Sequence, residues 1–136
     1  AVVDQFQHWI YTNPEHTSEQ RAQAWKNSIK PFGNNFADWS EHEYALENLW
    51  QKQLHIFEVP FYYIEYGIAQ LGAIAVWKNY KKDPKTGLSK YLDALKLGYT
   101  KTIKEIYETA GIEFNFSAAY VKELADFIKS ELQKLD

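Results

Sequence analysis

The stretch HIFEVPFYYIEYGIAQLGA, residues 55–73, carries one histidine and three tyrosines ahead of a run of small apolar residues. A plain core helix would use Leu, Ile and Val there. At 3.6 residues per turn, positions 55, 62 and 66 would share one face of an unbroken helix. Pro60 interrupts that phase, because its ring removes a backbone donor and clashes with the preceding turn. Tyr62 and Tyr66 are then i and i+4 on a helix expected to start near Pro60, with Tyr63 and Glu65 to either side. Two readings stand side by side. One is an aromatic-rich core helix beside a close helix crossing, its hydroxyls reaching buried acceptors. The other is a polar wall, with His and Tyr donors aimed into a cleft where negative charge develops.

Working outward, the rest of the chain reads as helices, with no strand-like alternation. Val2, Val3, Phe6, Trp9 and Ile10 form one helical stripe, ending at the turn cluster TNPEHT, residues 12–17. Thr17 with Gln20 is a capping-box pair opening a second helix, with Ala22, Trp25 and Ile29 on one face and a stop before Pro31. KPFGNNFADWS, residues 30–40, reads as a loop pinned down by Phe32, Phe36 and Trp39. Ser40 with Glu43 is a second capping-box pair, opening a helix towards His55. The long helix from Pro60 ends at Lys82, and DPKTG reads as a turn. Two shorter helices follow, closed by Gly98 and Gly111. Ser117 caps a last amphipathic helix with Tyr120, Leu124, Phe127, Ile128, Leu132 and Leu135 inward. The expected fold class is all-α, a multi-helix bundle.

Composition narrows the function classes. A chain of 136 residues suits a single domain with one core. It is 46% hydrophobic and 17% aromatic, with Tyr leading; Tyr suits clefts and interfaces as well as cores. The net charge of −3 argues against nucleic acid as a partner, since a duplex binder needs a basic face. Without cysteine there is neither a disulfide frame nor a thiolate metal site. No run approaches the roughly 20 apolar residues of a membrane span, and no signal peptide is visible, so no membrane role and a cytoplasmic location are expected. The opening AVVDQFQHWIYT has no Met and is already helix-periodic; it reads either as part of a longer polypeptide or as a processed terminus.

Few residues suit chemistry outside residues 55–73. His42-Glu43-Tyr44-Ala45-Leu46 lacks the second His of His-Glu-x-x-His, whose i, i+4 imidazoles share one ion. His42 and Glu43 read as first-turn residues of an exposed helix. His8 and His16 are isolated. There is no phosphate loop and no nucleophile elbow. Glu43 and Glu47 read as a solvent-facing, mildly repulsive pair.

The segment HIFEVPFYYIEYGIAQLGA resembles the His-and-Tyr segment of the oligoendopeptidase F branch of the thimet-oligopeptidase-like zinc metallopeptidases. RAQAWKNSIKPFG followed by DWSEHEYALENLW is similar to the stretch just upstream in that branch, and YLDALKLGYTKTIKEIYETAGIEFN to its C-terminal helices. The resemblance implies the C-terminal part of a helical catalytic domain that encloses a deep channel, spanning residues 1–136 as a single segment. It implies Zn2+ in the full-length enzyme, held by the two His of His-Glu-x-x-His and a Glu on the next helix, with the motif Glu as general base. All of these lie N-terminal to the matched segment, so this segment alone is expected to bind no metal and to be inactive. It further implies that His55, Tyr62, Tyr63 and Tyr66 bind short peptide substrates and hydrogen-bond the tetrahedral oxyanion. Tyr62 and Tyr63 compete for one of the two tyrosine positions. A chain parted from the rest of such a domain would expose an apolar face, and self-association through it is expected. The alternative is a non-catalytic helical peptide-binding or scaffold module anchored by Phe57, Phe61 and the tyrosines. A third reading is a purely structural domain with a Tyr-rich core.

Overall fold

The computed structural model describes residues 1–33 and 37–135. Among them every regular element is a helix: α1 (Val2–Thr12), α2 (Ser18–Ile29), α3 (Glu43–Asn48), α4 (His55–Glu58), α5 (Ile64–Lys82), α6 (Pro84–Leu97), α7 (Ile103–Thr109) and α8 (Ala118–Leu132), with 3₁₀ turns at Lys30–Phe32 and Leu49–Lys52. The all-α class is as expected. No described helix is long and apolar enough to cross a membrane. Phe36, expected to pin the loop after α2, lies outside the described residues.

The chain divides into two compact units, Ala1–Gly67 and Ile68–Asp136, each with its own core, where one core was expected. In the first unit the apolar stripe of α1 does what its spacing predicts. Val3 and Phe6 are buried, while Val2, Trp9 and Ile10 pack around them. The ring of Phe6 meets Trp25 of α2 edge-on at 5.1 Å and Trp50 at 5.5 Å. Thr17 accepts from the Gln20 N–H and the Gln20 side chain accepts from the Thr17 N–H, closing the expected capping box.

The second expected capping box does not form. Helix α3 starts with His42 at its N-cap and no side-chain cap. The Ser40 N–H donates instead to Asp38 Oδ1 at 2.9 Å, a local turn that a short Asp side chain favours. Nor does one helix run on to His55. The backbone tightens to 3₁₀ at Leu49–Lys52, where Trp50 enters the core against Phe6, and α4 is a separate single turn. Glu43 and Glu47, expected to repel one another in solvent, share Lys26 of α2 at 3.8 and 2.9 Å. Glu47, through its hydrogen bond, is the main cause that holds the Lys26 ammonium above its ordinary pKa.

In the second unit α5, α6, α7 and α8 enclose Ala75, Ala94, Ala110, Ile112 and Leu124. DPKTG is not a free turn. Asp83 is the N-cap of α6, accepting from the Thr86 N–H at 3.2 Å, and Pro84 takes the first helical position, where a missing N–H costs nothing. Gly98 and Gly111 have φ of 53° and 74°, the left-handed backbone expected where a helix closes. Ser117 caps α8 as expected. The inward face of α8 is shorter than expected: Leu124 is buried and Phe127 meets Trp77 at 4.9 Å, but Leu132 and Leu135 are exposed. Near that end Glu131 pairs with Lys81 at 2.7 Å, so the contact between α5 and α8 finishes in an ion pair.

Small residues decide two close approaches here. A Cβ on Gly87 would stand 2.8 Å from the Tyr80 backbone, and one on Gly72 would stand 2.7 Å from the Tyr107 hydroxyl. That hydroxyl donates to the Ile68 carbonyl, 3.3 Å away, and burial pushes its pKa up. An apolar hollow of about 750 Å³ lies over the small residues of this unit, bordered by Trp77, Tyr80, Leu88, Tyr91, Leu95 and Tyr99.

Candidate functional site

His55 opens α4 and is half-buried, next to Ile56, which enters the core of the first unit. The α5 helix does not begin at Pro60. Residues 59–63 form a turn and α5 starts at Ile64, so Tyr62 and Tyr63 precede the helix on which Tyr66 sits. The break has a backbone cause: Phe61 has φ 58°, a left-handed conformation costing a bulky residue about 1–2 kcal/mol.

This turn folds the three tyrosines back around the imidazole. Tyr62 stacks on His55 with centroids 5.5 Å apart and planes 18° from parallel. Tyr63 and Tyr66 meet it edge-on at 5.4 and 5.8 Å. Tyr66 also lies 5.9 Å from Tyr62 and 5.1 Å from Tyr63. A hydrogen bond of 3.1 Å joins the Tyr66 hydroxyl to His55 Nε2. All four residues singled out in the sequence therefore stand in one cluster.

The tyrosines are not equivalent. Tyr63 packs against the core of the first unit and its hydroxyl donates to Gln53 Oε1 at 3.2 Å. Tyr62 and Tyr66 are 44% and 52% exposed. Two rings thus stand open to solvent on a half-buried imidazole, while the third is anchored from behind. The cluster can present a ring nitrogen and phenol hydroxyls to a ligand. A phenol donates a hydrogen bond while staying neutral at pH 7.

The phenylalanines of the alternative reading stand apart from one another. Phe57 stacks on Trp50 at 5.7 Å, and Phe61 packs on His8 and Tyr11 of α1 at 4.7 and 5.2 Å. Glu65 is exposed. Sequence reasoning missed Gln53, which holds Tyr63, and the pair His8 and Tyr11, which grips Phe61. The one available signal for that pair was its i, i+3 spacing on α1, off the apolar stripe.

No group of three His, Cys, Asp or Glu among the described residues could hold a metal ion. His42 and Glu43 are exposed at the start of α3, as expected, and the carboxylate beside His8 is that of Asp4, at 3.8 Å. The described residues therefore offer no ligand set for zinc, whose ligands the resemblance places outside this segment.

The sequence matches Peptidase family M3 over residues 1–126. No match was found among curated proteins. Two solved structures share the fold. One, described as PZ peptidase A with inhibitor 2, is 31% identical with a TM-score of 0.86. The other, described as an oligoendopeptidase F, is 32% identical with a TM-score of 0.85. Each likeness covers 99% of this chain and 24% of the solved one, so the chain spans about a quarter of the length of these neighbours. A family match over nearly the whole chain and two neighbours above 30% identity agree: the chain belongs to peptidase family M3.

Proposed function

We propose that this chain is part of a zinc-dependent oligoendopeptidase that hydrolyses short peptides, and that it supplies the wall that binds substrate and stabilises the oxyanion. The observation that carries the reading is the gathering of Tyr62 and Tyr66, both about half exposed, on the imidazole of His55. Family membership and the two peptidase neighbours support the reaction class. The zinc would be held by residues outside this chain, and the 136 residues alone would not cleave peptides.

The wall acts by hydrogen bonding. With its proton on Nε2, a neutral His55 donates to the Tyr66 oxygen, which leaves the phenol proton of Tyr66 for a substrate oxygen. With its proton on Nδ1, His55 accepts from Tyr66 and the Nδ1–H is the group offered. Tyr62 is the second donor. Tyr63, tied back to Gln53, holds the wall in place rather than meeting the peptide. A donor already fixed where the oxyanion forms needs little reorganisation and is worth about 2.7–4 kcal/mol.

The test is Tyr66→Phe in the longer, zinc-loaded protein that carries this chain. A catalytic wall predicts that kcat falls by about 10²–10³ while peptide affinity changes much less. A loss of affinity with turnover intact would favour the binding-module reading instead. Chelator-sensitive cleavage of a quenched peptide by the 136-residue chain alone would overturn the division of labour.

A further inference from the structure

The turn that carries Tyr62 is held in an unusual backbone state. Val59 is extended, with φ −136° and ψ 89°, as a residue before proline is pushed to be. Phe61 then takes φ 58° and is the one non-glycine residue with positive φ among the described residues. Asn or Asp can favour that region through a local hydrogen bond, whereas a phenyl ring cannot. The support comes from α1, where His8 and Tyr11, one turn apart, flank the Phe61 ring at 4.7 and 5.2 Å. Directly after Phe61, the Tyr62 N–H donates to the Val59 carbonyl at 3.2 Å and the Glu65 N–H to the Tyr62 carbonyl at 3.0 Å. The Tyr62 ring is thereby laid over His55 at 18°.

We infer that Phe61 is a positioning residue for the substrate wall. His8 and Tyr11 grip its ring, the grip holds the left-handed backbone, and that backbone aims Tyr62 at His55. The inference rests on the reading of His55 and the tyrosines as a substrate wall. It assigns α1, which carries none of the wall residues, a part in setting their geometry.

The experiment uses NMR on the 136-residue chain, reading ring-to-ring contacts between His55 and Tyr62 against those between Phe6 and Trp25 in the core. Phe61→Gly fits the backbone but removes the ring. Tyr11→Ala removes half of the grip at a residue that is 47% exposed, which spares the core. Both variants are expected to lose the His55–Tyr62 contacts while keeping those of Phe6 with Trp25, and Phe61→Tyr to retain them. In the longer zinc-loaded protein, Phe61→Gly is expected to lower kcat about tenfold or more with KM nearly unchanged, since small misplacements cost rate. Unchanged His55–Tyr62 contacts in both variants would overturn the inference. Should Phe61→Gly not fold, Tyr11→Ala decides alone. Tyr62→Phe separates the two levels of the argument. If it leaves kcat and KM unchanged, the wall reading fails while the NMR result stands. If it lowers kcat but the ring contacts survive loss of the grip, only the role of Phe61 fails.

Discussion

Substituting Gly87→Ala tests the packing of the second unit at its tightest point. The added Cβ would stand 2.8 Å from both the Cα and the N of Tyr80, and 3.1 Å from the Asn79 carbonyl carbon. Carbon contacts normally settle at about 3.5–4.0 Å, so the Cβ–Cα approach is short by about 0.7 Å or more. The opposing atoms are backbone of α5, a 19-residue helix, so no rotamer change relieves the overlap. Overpacking of this kind costs about 1–3 kcal/mol, and the upper half of that range fits a backbone clash. Alanine returns up to about 0.8–1.0 kcal/mol of helix propensity. The net loss is then about 1–2 kcal/mol, or roughly 4–16 °C in Tm for a unit of this size. Gly67→Ala is the control. Its Cβ would meet nothing within 4 Å, so the propensity gain should raise stability by up to about 1 kcal/mol. Thermal melts followed by far-UV circular dichroism read both variants. A Gly87→Ala protein as stable as the parent would refute the close approach of α6 to α5.

Three further outcomes are expected. Gln7 is 1% exposed and neither amide atom has a hydrogen-bond partner among the described residues; Gln7→Leu should stabilise the chain by about 1–3 kcal/mol in denaturant titration, the cost of an unmet buried polar group, and destabilisation would show that the amide is paired. Tyr62→Phe should lower kcat of the longer protein, whereas Tyr63→Phe should cost about 0.5–1.5 kcal/mol of stability for its bond to Gln53 and little turnover; the reverse pattern would exchange their roles. Thr86 holds the Asp83 carboxyl below its ordinary pKa, the Thr102 backbone and side chain do so for Glu105, and Lys134 and Lys81 do so for Glu131. A carboxylate whose folded pKa is depressed contributes stability above its unfolded pKa and loses it as the pH falls through the folded one. Helicity should therefore weaken below the ordinary values, 3.8 for Asp and 4.5 for Glu, and Glu105→Gln should flatten part of that acid limb in pH-dependent melts.

The sequence made the local signals of this fold legible and left the junctions obscure. Thr17 with Gln20, Ser117, Gly98 and Gly111 act where they stand, because a cap or a left-handed closure depends on a few neighbouring atoms. Ser40 and Glu43 carried the same pattern and failed, because Asp38 two residues earlier competed for the Ser40 N–H. Pro60 and Pro84 show the same limit. Proline permits a helix start, but Asp83 caps one and the left-handed Phe61 postpones the other to Ile64. Leu132 and Leu135 fit the stripe of α8 by spacing, yet an ion pair at Glu131 occupies that end. At the candidate site the four residues were legible, since His and Tyr crowd one short stretch. The assignment of Tyr63 to Gln53 and the grip on Phe61 were not, because the first depends on how residues 59–63 fold back on the chain before α4 and the second on how that turn meets α1.

A catalytic wall of His55 and its tyrosines would recognise the tetrahedral state better than the peptide. The most direct measurement compares binding of a tetrahedral phosphinic peptide analogue with binding of the matched peptide, in the longer zinc-loaded protein and its Tyr66→Phe variant. A transition-state donor predicts that the analogue loses affinity in step with kcat/KM, by about 10²-fold or more, while the peptide loses little. Equal losses for analogue and peptide, or none for either, would contradict the account.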